Sequence, residues 1–179
     1  MRPVVMATLL VGLLSAFVAS SCTCLAGETK APDFTLANLE GRNVKLSELL
    51  AKGPVIVDFW ATWCKPCIKG FPALQALLNK YKGRGLTVVA ISVDSPKTRA
   101  RVGPFIRSKK YTFEILLDTQ GRVAKKYNAV TIPRTVLINP EGKIAFATVG
   151  YRPSNHEQIE KTLIPLLPEA DTEGGDVVE

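Results

Sequence analysis

Two cysteines, Cys64 and Cys67, stand two residues apart at the end of the run Val55-Ile-Val-Asp-Phe-Trp-Ala-Thr-Trp-Cys-Lys-Pro-Cys67, and one acid, Asp58, precedes them within it. Thiols at this spacing can exchange disulfides, bind a metal or hold a haem, and each use asks for different companions. Zinc wants four ligands, and His156 is the one histidine of the chain, so no metal site is expected. Haem attachment needs a histidine directly after the second cysteine, where Ile68 stands. Disulfide exchange needs an attacking thiolate, a second thiol that resolves the mixed disulfide, and an acceptor for that thiol's proton. Cys64, Cys67 and Asp58 offer one residue for each role, with no cofactor beyond the cysteine couple itself.

The neighbouring elements must place those groups. Residues 55–60 are β-branched or aromatic apart from Asp58, which reads as a strand buried on both faces of a helix-covered sheet. Asp58 is then a carboxylate inside the core, where burial raises its pKa and suits it to act as general base for Cys67. A satisfied core carboxylate is the structural alternative. Over 65–81 apolar residues recur at helical spacing (Ile68, Phe71, Leu74, Leu77, Leu78, Tyr81), which puts Cys64 at or just before a helix N-terminus. Free amide N–H groups and the helix dipole there stabilise a thiolate, so Cys64 is the expected nucleophile and Cys67, one turn in, the resolving thiol. Lys65 adds positive charge, Pro66 occupies a first-turn position that proline tolerates, and Pro72 is expected to kink the helix.

Further along, 32–36 and 44–46 read as a strand pair around the turn 40–43, and 47–50 as one helical turn with Ser47 at the N-cap, stopped by Gly53-Pro54. Residues 86–93 form a second buried strand, completing a right-handed βαβ unit. Asp94-Ser95-Pro96 opens a helix over 97–110, followed by a strand at 113–117 and a helix at 120–127. Lys97, Arg99, Arg101, Arg107, Lys109 and Lys110 read as a solvated helix face, with docking to an acidic partner as the alternative. Strands at 135–138 and 144–149 are joined by Asn139-Pro-Glu-Gly142, strong hairpin chemistry. An amphipathic helix over 154–166 is expected to break or bend near Pro165, with His156 on its surface. The fold class is α/β, and residues 31–167 make one domain. From Pro168 to the end, 168–179, the chain is acidic and core-poor and is expected to be disordered.

At 179 residues and 46% hydrophobic, the chain suits one globular domain with terminal extras. The net charge of +7 is scattered, without the basic stripe and interleaved aromatics of nucleic-acid binding, so no nucleic-acid partner is expected. Arg2 precedes an uncharged apolar run to about Ser20 and then small residues, the layout of a secretory signal over 1–26. Three outcomes fit: release from Gly27 onward, lipidation of Cys22 after Ala19-Ser20-Ser21, or an uncleaved anchor. All three place the domain outside the cytoplasmic membrane, periplasmic or otherwise extracytoplasmic. Of the four cysteines, Cys22 and Cys24 fall in or beside the processed segment, leaving Cys64 and Cys67 to the folded domain. In an oxidising compartment such a pair reads as a working redox couple, since its loop is too short to restrain much chain entropy.

The run Val-Asp-Phe-Trp-Ala-Thr-Trp-Cys-Lys-Pro-Cys, with Ile132-Pro133 downstream, resembles thioredoxins, and more closely the TlpA/ResA-like extracytoplasmic thiol-disulfide oxidoreductases among the redoxin (AhpC/TSA-like) proteins. The resemblance implies a thioredoxin fold with a mixed central sheet, an N-terminal hairpin and an α/β insertion near 94–127. It implies that Asp58 matches the thioredoxin buried acid, that Pro133 is cis, and that Ile132 and Pro133 meet the substrate chain. Trp63 would wall Cys64, Trp60 would support the core, and Lys65 and Pro66 would tune the couple. Partners implied are protein thiols and disulfides, with a membrane thiol-disulfide carrier as electron donor. Relatives that reduce apocytochromes c often carry a glutamate three residues after the second cysteine; Gly70 stands there, which weakens a cytochrome c maturation role. A peroxiredoxin-type peroxidase wants Pro-x-x-x-Thr-x-x-Cys, and the matching places hold Val57 and Ala61. A metallochaperone using the cysteine pair lacks the extra histidine.

Overall fold

A computed structural model describes residues 29–169. The expected leader with Cys22 and Cys24, and the acidic tail beyond Glu169, lie outside them. Among the described residues seven strands form two sheets: β1 (Thr35–Ala37) and β2 (Asn43–Lys45) make a small antiparallel pair, and β3 (Val55–Trp60), β4 (Thr87–Ser92), β5 (Glu114–Leu117), β6 (Arg134–Ile138) and β7 (Ile144–Val149) make the main sheet. Its order is β5-β4-β3-β6-β7, with β3 parallel to β4 and antiparallel to β6. Helix α1 spans Leu46–Leu50, α2 Lys65–Tyr81, α3 Val102–Lys109, α4 Arg122–Lys126 and α5 Pro153–Leu163. The expected mixed-sheet thioredoxin fold is therefore present, with α2 as the crossover from β3 to β4.

Strand β3 is central, and all six of its residues are buried. Successive side chains point to opposite faces, so Val55, Val57 and Phe59 join one core with Phe34, Leu46 and Tyr127, while Ile56 and Trp60 join the other with Phe71, Leu74, Ile159 and Leu163. Asp58 belongs to the second face, the one covered by α2 and α5. Trp60 anchors that side, edge-on to Phe71 at 4.8 Å between ring centroids. Two turns brace the starts of β3 and β4 so closely that side chains would not fit. A Cβ on Gly53 would fall 2.7 Å from the Gly85 carbonyl oxygen, and one on Gly85 2.5 Å from that of Lys52, both at positive φ. The exposed edge of β5 is shielded by the small hairpin, where Asn38 bridges to Leu116 and its Nδ2 donates to Glu114 Oε1 at 2.9 Å.

Several boundaries differ from the sequence reading. Helix α1 starts at Leu46 with Lys45 in the cap position and no side-chain cap; Ser47 already lies inside it. The strand runs straight into the helix because the Leu46 N–H donates to the Phe34 carbonyl (3.1 Å) and Leu46 is buried. The helix expected over 97–110 opens as a 3-10 turn at Arg99–Arg101 and becomes α-helical only from Val102. Pro104 explains this, because its ring would collide with the Ala100 carbonyl of a continuous α-helix. Helix α2 passes through Pro72, and α5 gives way to a 3-10 turn, Ile164–Leu166, at Pro165. Among the described residues no helix is long and apolar enough to cross a membrane.

Candidate active site

At the C-terminal end of β3 the chain turns through Ala61–Trp63 into α2. Asp94, at the end of the adjacent strand β4, fastens this turn. Its carboxylate accepts the Thr62 N–H at 2.8 Å, the Thr62 hydroxyl at 2.7 Å and the Ser92 hydroxyl at 2.9 Å. Sequence reasoning assigned Asp94 to the opening of the next helix; it instead ties the turn before Cys64 to the sheet. Cys64 is the N-cap of α2, and its Sγ accepts the Cys67 backbone N–H at 3.3 Å. A negative charge on that sulfur is favoured by the amide and by the positive end of a 17-residue helix. Cys64 and Cys67 are joined as a disulfide with Cα atoms 5.3 Å apart. Both are buried, Cys64 slightly less so, while Lys65 and Pro66 are exposed in the first turn and Trp63 is 62% exposed beside them.

Behind the disulfide lies a small cavity, of ≈ 10 Å³, lined by Asp58, Cys67, Pro133, Thr135, Tyr151 and His156 among others. That is about the space of one water. Asp58 is 2% exposed, and the Thr135 hydroxyl donates to its Oδ1 at 2.7 Å. Burial pushes the Asp58 carboxyl from its ordinary 3.8 up to about 7, and the Thr135 hydrogen bond pulls the other way. The Ile132–Pro133 bond is cis; Pro133 is buried against the cavity, its carbonyl held by the Gly150 N–H at 2.7 Å. Ile132, half-buried, packs against both cores. The structure thus brings Cys64, Cys67, Asp58, Ile132, Pro133, Trp63, Lys65 and Pro66 to one end of β3 and β6.

His156 corrects the expectation of a helix-surface residue. It is half-buried, its ring centroid 5.6 Å from that of Tyr151, and burial lowers its pKa below 6.5. The close approach is possible because residue 70 is glycine: a Cβ there would lie 3.2 Å from Tyr151 Cδ2 and 3.7 Å from His156 Nε2. A signal was present in the sequence, since His156, Ile159 and Leu163 follow the i, i+3, i+7 spacing of a buried stripe. Thr135 was also missed. It sits directly opposite Asp58 in the β3–β6 register, which no local pattern reveals.

The comparisons with known proteins agree with this geometry. Residues 28–147 match the model of the AhpC/TSA family. The chain is 38% identical over 120 residues to the thiol-disulfide oxidoreductase ResA of Bacillus subtilis, covering 67% of this chain and 65% of that one. It is 36% identical over 171 residues to ResA of Geobacillus thermodenitrificans, covering 94% and 95%. Among solved structures, a putative thiol:disulfide interchange protein DsbE from Chlorobium tepidum superposes with a TM-score of 0.71 at 33% identity, over 78% of this chain and 96% of that one. StoA from Bacillus subtilis superposes with a TM-score of 0.61 at 28% identity, over 74% and 96%.

Proposed function

The chain belongs to the AhpC/TSA family and is a thiol-disulfide oxidoreductase, and from that premise we propose that it is an extracytoplasmic protein-disulfide reductase working through Cys64 and Cys67. The observation that carries the reading is the pairing of a helix-capping disulfide with a buried, singly hydrogen-bonded carboxylate in the same cavity. In the reduced protein the Cys64 thiolate attacks one sulfur of a substrate disulfide, forming a mixed disulfide and expelling the first substrate thiolate. Cys67 then gives its proton to the Asp58 carboxylate and attacks Cys64 Sγ. The Cys64–substrate bond breaks, the second substrate thiolate leaves and takes up a proton, and the Cys64–Cys67 disulfide forms. Substrate loses its disulfide, and the enzyme gains one. A membrane thiol-disulfide carrier would return the two electrons.

In this reading Trp63, exposed next to Cys64, and the Ile132-Pro133 segment receive the substrate backbone, while Lys65 and Pro66 set the potential of the couple. The domain at 31–167 acts outside the cytoplasmic membrane after export by residues 1–26, released or tethered through Cys22 or an uncleaved anchor. Val57 and Ala61, where a peroxiredoxin-type site would carry its proline and threonine, are both fully buried apolar residues and favour exchange over peroxidase chemistry.

The test is the fate of substrate in single-cysteine variants together with the potential of the couple. Cys64→Ser is expected to abolish exchange and Cys67→Ser to accumulate mixed disulfides; retention of full activity by Cys64→Ser overturns the mechanism. A reduction potential near about −270 mV supports a reductase, whereas one near about −120 mV would make the protein a disulfide donor.

A further inference from the structure

We infer that His156 is a positioning residue of the exchange reaction, relaying to solvent, through the cavity they share, the proton that Asp58 takes from Cys67. This rests on the exchange mechanism above. Asp58 is sealed in the core at 2% exposure, with the cysteine pair on one side and Thr135 on the other, so a proton placed on it needs a way out. The cavity supplies a route. His156 lines it and is itself only half-buried, so the residue lies between the cavity and solvent. Its Nδ1 is buried with no hydrogen-bond partner among the described residues, an arrangement that is unfavourable unless the atom meets a water or serves a transfer. The ≈ 10 Å³ of space fits one such water.

The proton balance is simple. Cys67 thiol and Asp58 carboxylate become thiolate and carboxylic acid. The acid then protonates neutral His156 through the bridging water, and the imidazolium releases the proton outside. Burial lowers the His156 pKa, so the ring is uncharged at neutral pH and able to accept. The groups facing it are Asp58 from β3, Cys67 from α2 and Tyr151 from the segment after β7, with Thr135 from β6 as a neutral donor. Arg152, which precedes its helix, and Glu157, on it, are exposed, and Glu160 is engaged by Lys80 and Tyr81 of α2; Lys69, beside Gly70, is exposed. Gly70 is part of the device, because a side chain there would crowd Tyr151 and His156.

The test follows reduced protein reacting with 5,5′-dithiobis(2-nitrobenzoate), whose first phase reports attack by Cys64 and whose second reports attack by Cys67 on the mixed disulfide. His156→Gln is expected to slow the second phase about tenfold in dilute buffer. Concentrated imidazole buffer should restore it, and His156→Gln should add no slowing in an Asp58→Asn background. An unchanged second phase overturns the inference, as does equal, buffer-insensitive slowing in both backgrounds, the mark of a merely structural role. If His156→Gln does not fold, Gly70→Ala, which narrows the cavity from the other side, must show the same buffer-rescued slowing. A wild-type protein with no second phase sinks the exchange mechanism itself; a normal wild type with an unaffected variant sinks only the relay.

Discussion

Among the described residues three aspartates are buried on neighbouring strands, Asp58 within β3 and Asp94 and Asp118 just past the ends of β4 and β5, and they differ in how many donors meet them. Asp94 accepts three hydrogen bonds, from Thr62 and Ser92. Asp118, after β5, accepts the N–H groups of Arg122 (3.0 Å) and Ala124 (2.8 Å) at the start of α4. Asp58 accepts one, from Thr135, and faces a cavity. The first two are fasteners: their charge is met by donors that themselves need an acceptor, and the fold gains a fixed turn. The third is held at a disadvantage as a charge, and that makes it available for a proton.

The largest expected effect separates Asp58 from the other two. In the disulfide form the cysteines do not titrate, and Asp58 holds its proton to about pH 7 in the native state against 3.8 ordinarily. Between those values the unfolded chain has already lost the proton that the native state keeps, so stability falls as pH rises through the window and stays lower above it. The step from 3.8 to about 7 corresponds to about 4 kcal/mol. Urea unfolding at pH 4.5 and pH 8 (about those values suffice) should show this loss in wild type and not in Asp58→Asn. His156, lowered by burial, acts in the opposite sense and loses stability as pH falls below 6.5, which trims the wild-type slope at its acid end.

Asp94→Ala comes next. It strands the Thr62 N–H and two hydroxyls, and should lower unfolding stability by about 3 kcal/mol while slowing attack by Cys64, since the turn ahead of it loosens. Asp118→Ala strands two backbone N–H groups and should lower stability by about 2 kcal/mol with exchange kinetics unaltered. Were Asp94→Ala and Asp118→Ala as stable as wild type, the distinction between fastener and proton acceptor would collapse. The smallest effect sharpens the contrast: Thr135→Val removes the one donor to Asp58, which moves its pKa still higher. The pH inflection of the resolving step should shift upward, at a stability change of about 1 kcal/mol above neutral pH.

Which parts could be read in the sequence follows from the range of the interactions involved. The β3 strand, the α2 helix and the Asn139-Pro-Glu-Gly142 hairpin announce themselves through local pattern, and the structure places them where that pattern does. The cis geometry at Pro133 was reachable only by resemblance, because a lone Ile-Pro pair has no such signature. Asp94, Thr135 and His156 were missed or misplaced for a common reason. Each acquires its surroundings from a strand or helix far off in the chain: Thr62 across β3 and β4, Asp58 across β3 and β6, and Gly70 across α2 and α5. The late start of α3 was legible in Pro104, whose exclusion of a preceding α-turn outweighs the helical spacing upstream.

The most direct measurement is the titration of Asp58 itself, by its side-chain carboxyl carbon in the NMR spectrum of the disulfide form, assigned through Asp58→Asn. A midpoint near 7 is expected, for a carboxyl group that burial makes a strong enough base to take the proton of the resolving thiol near neutral pH. A midpoint near its ordinary 3.8 would mean that Asp58 is a charge as settled as any surface carboxylate, and the proton acceptor for Cys67 would have to be another group.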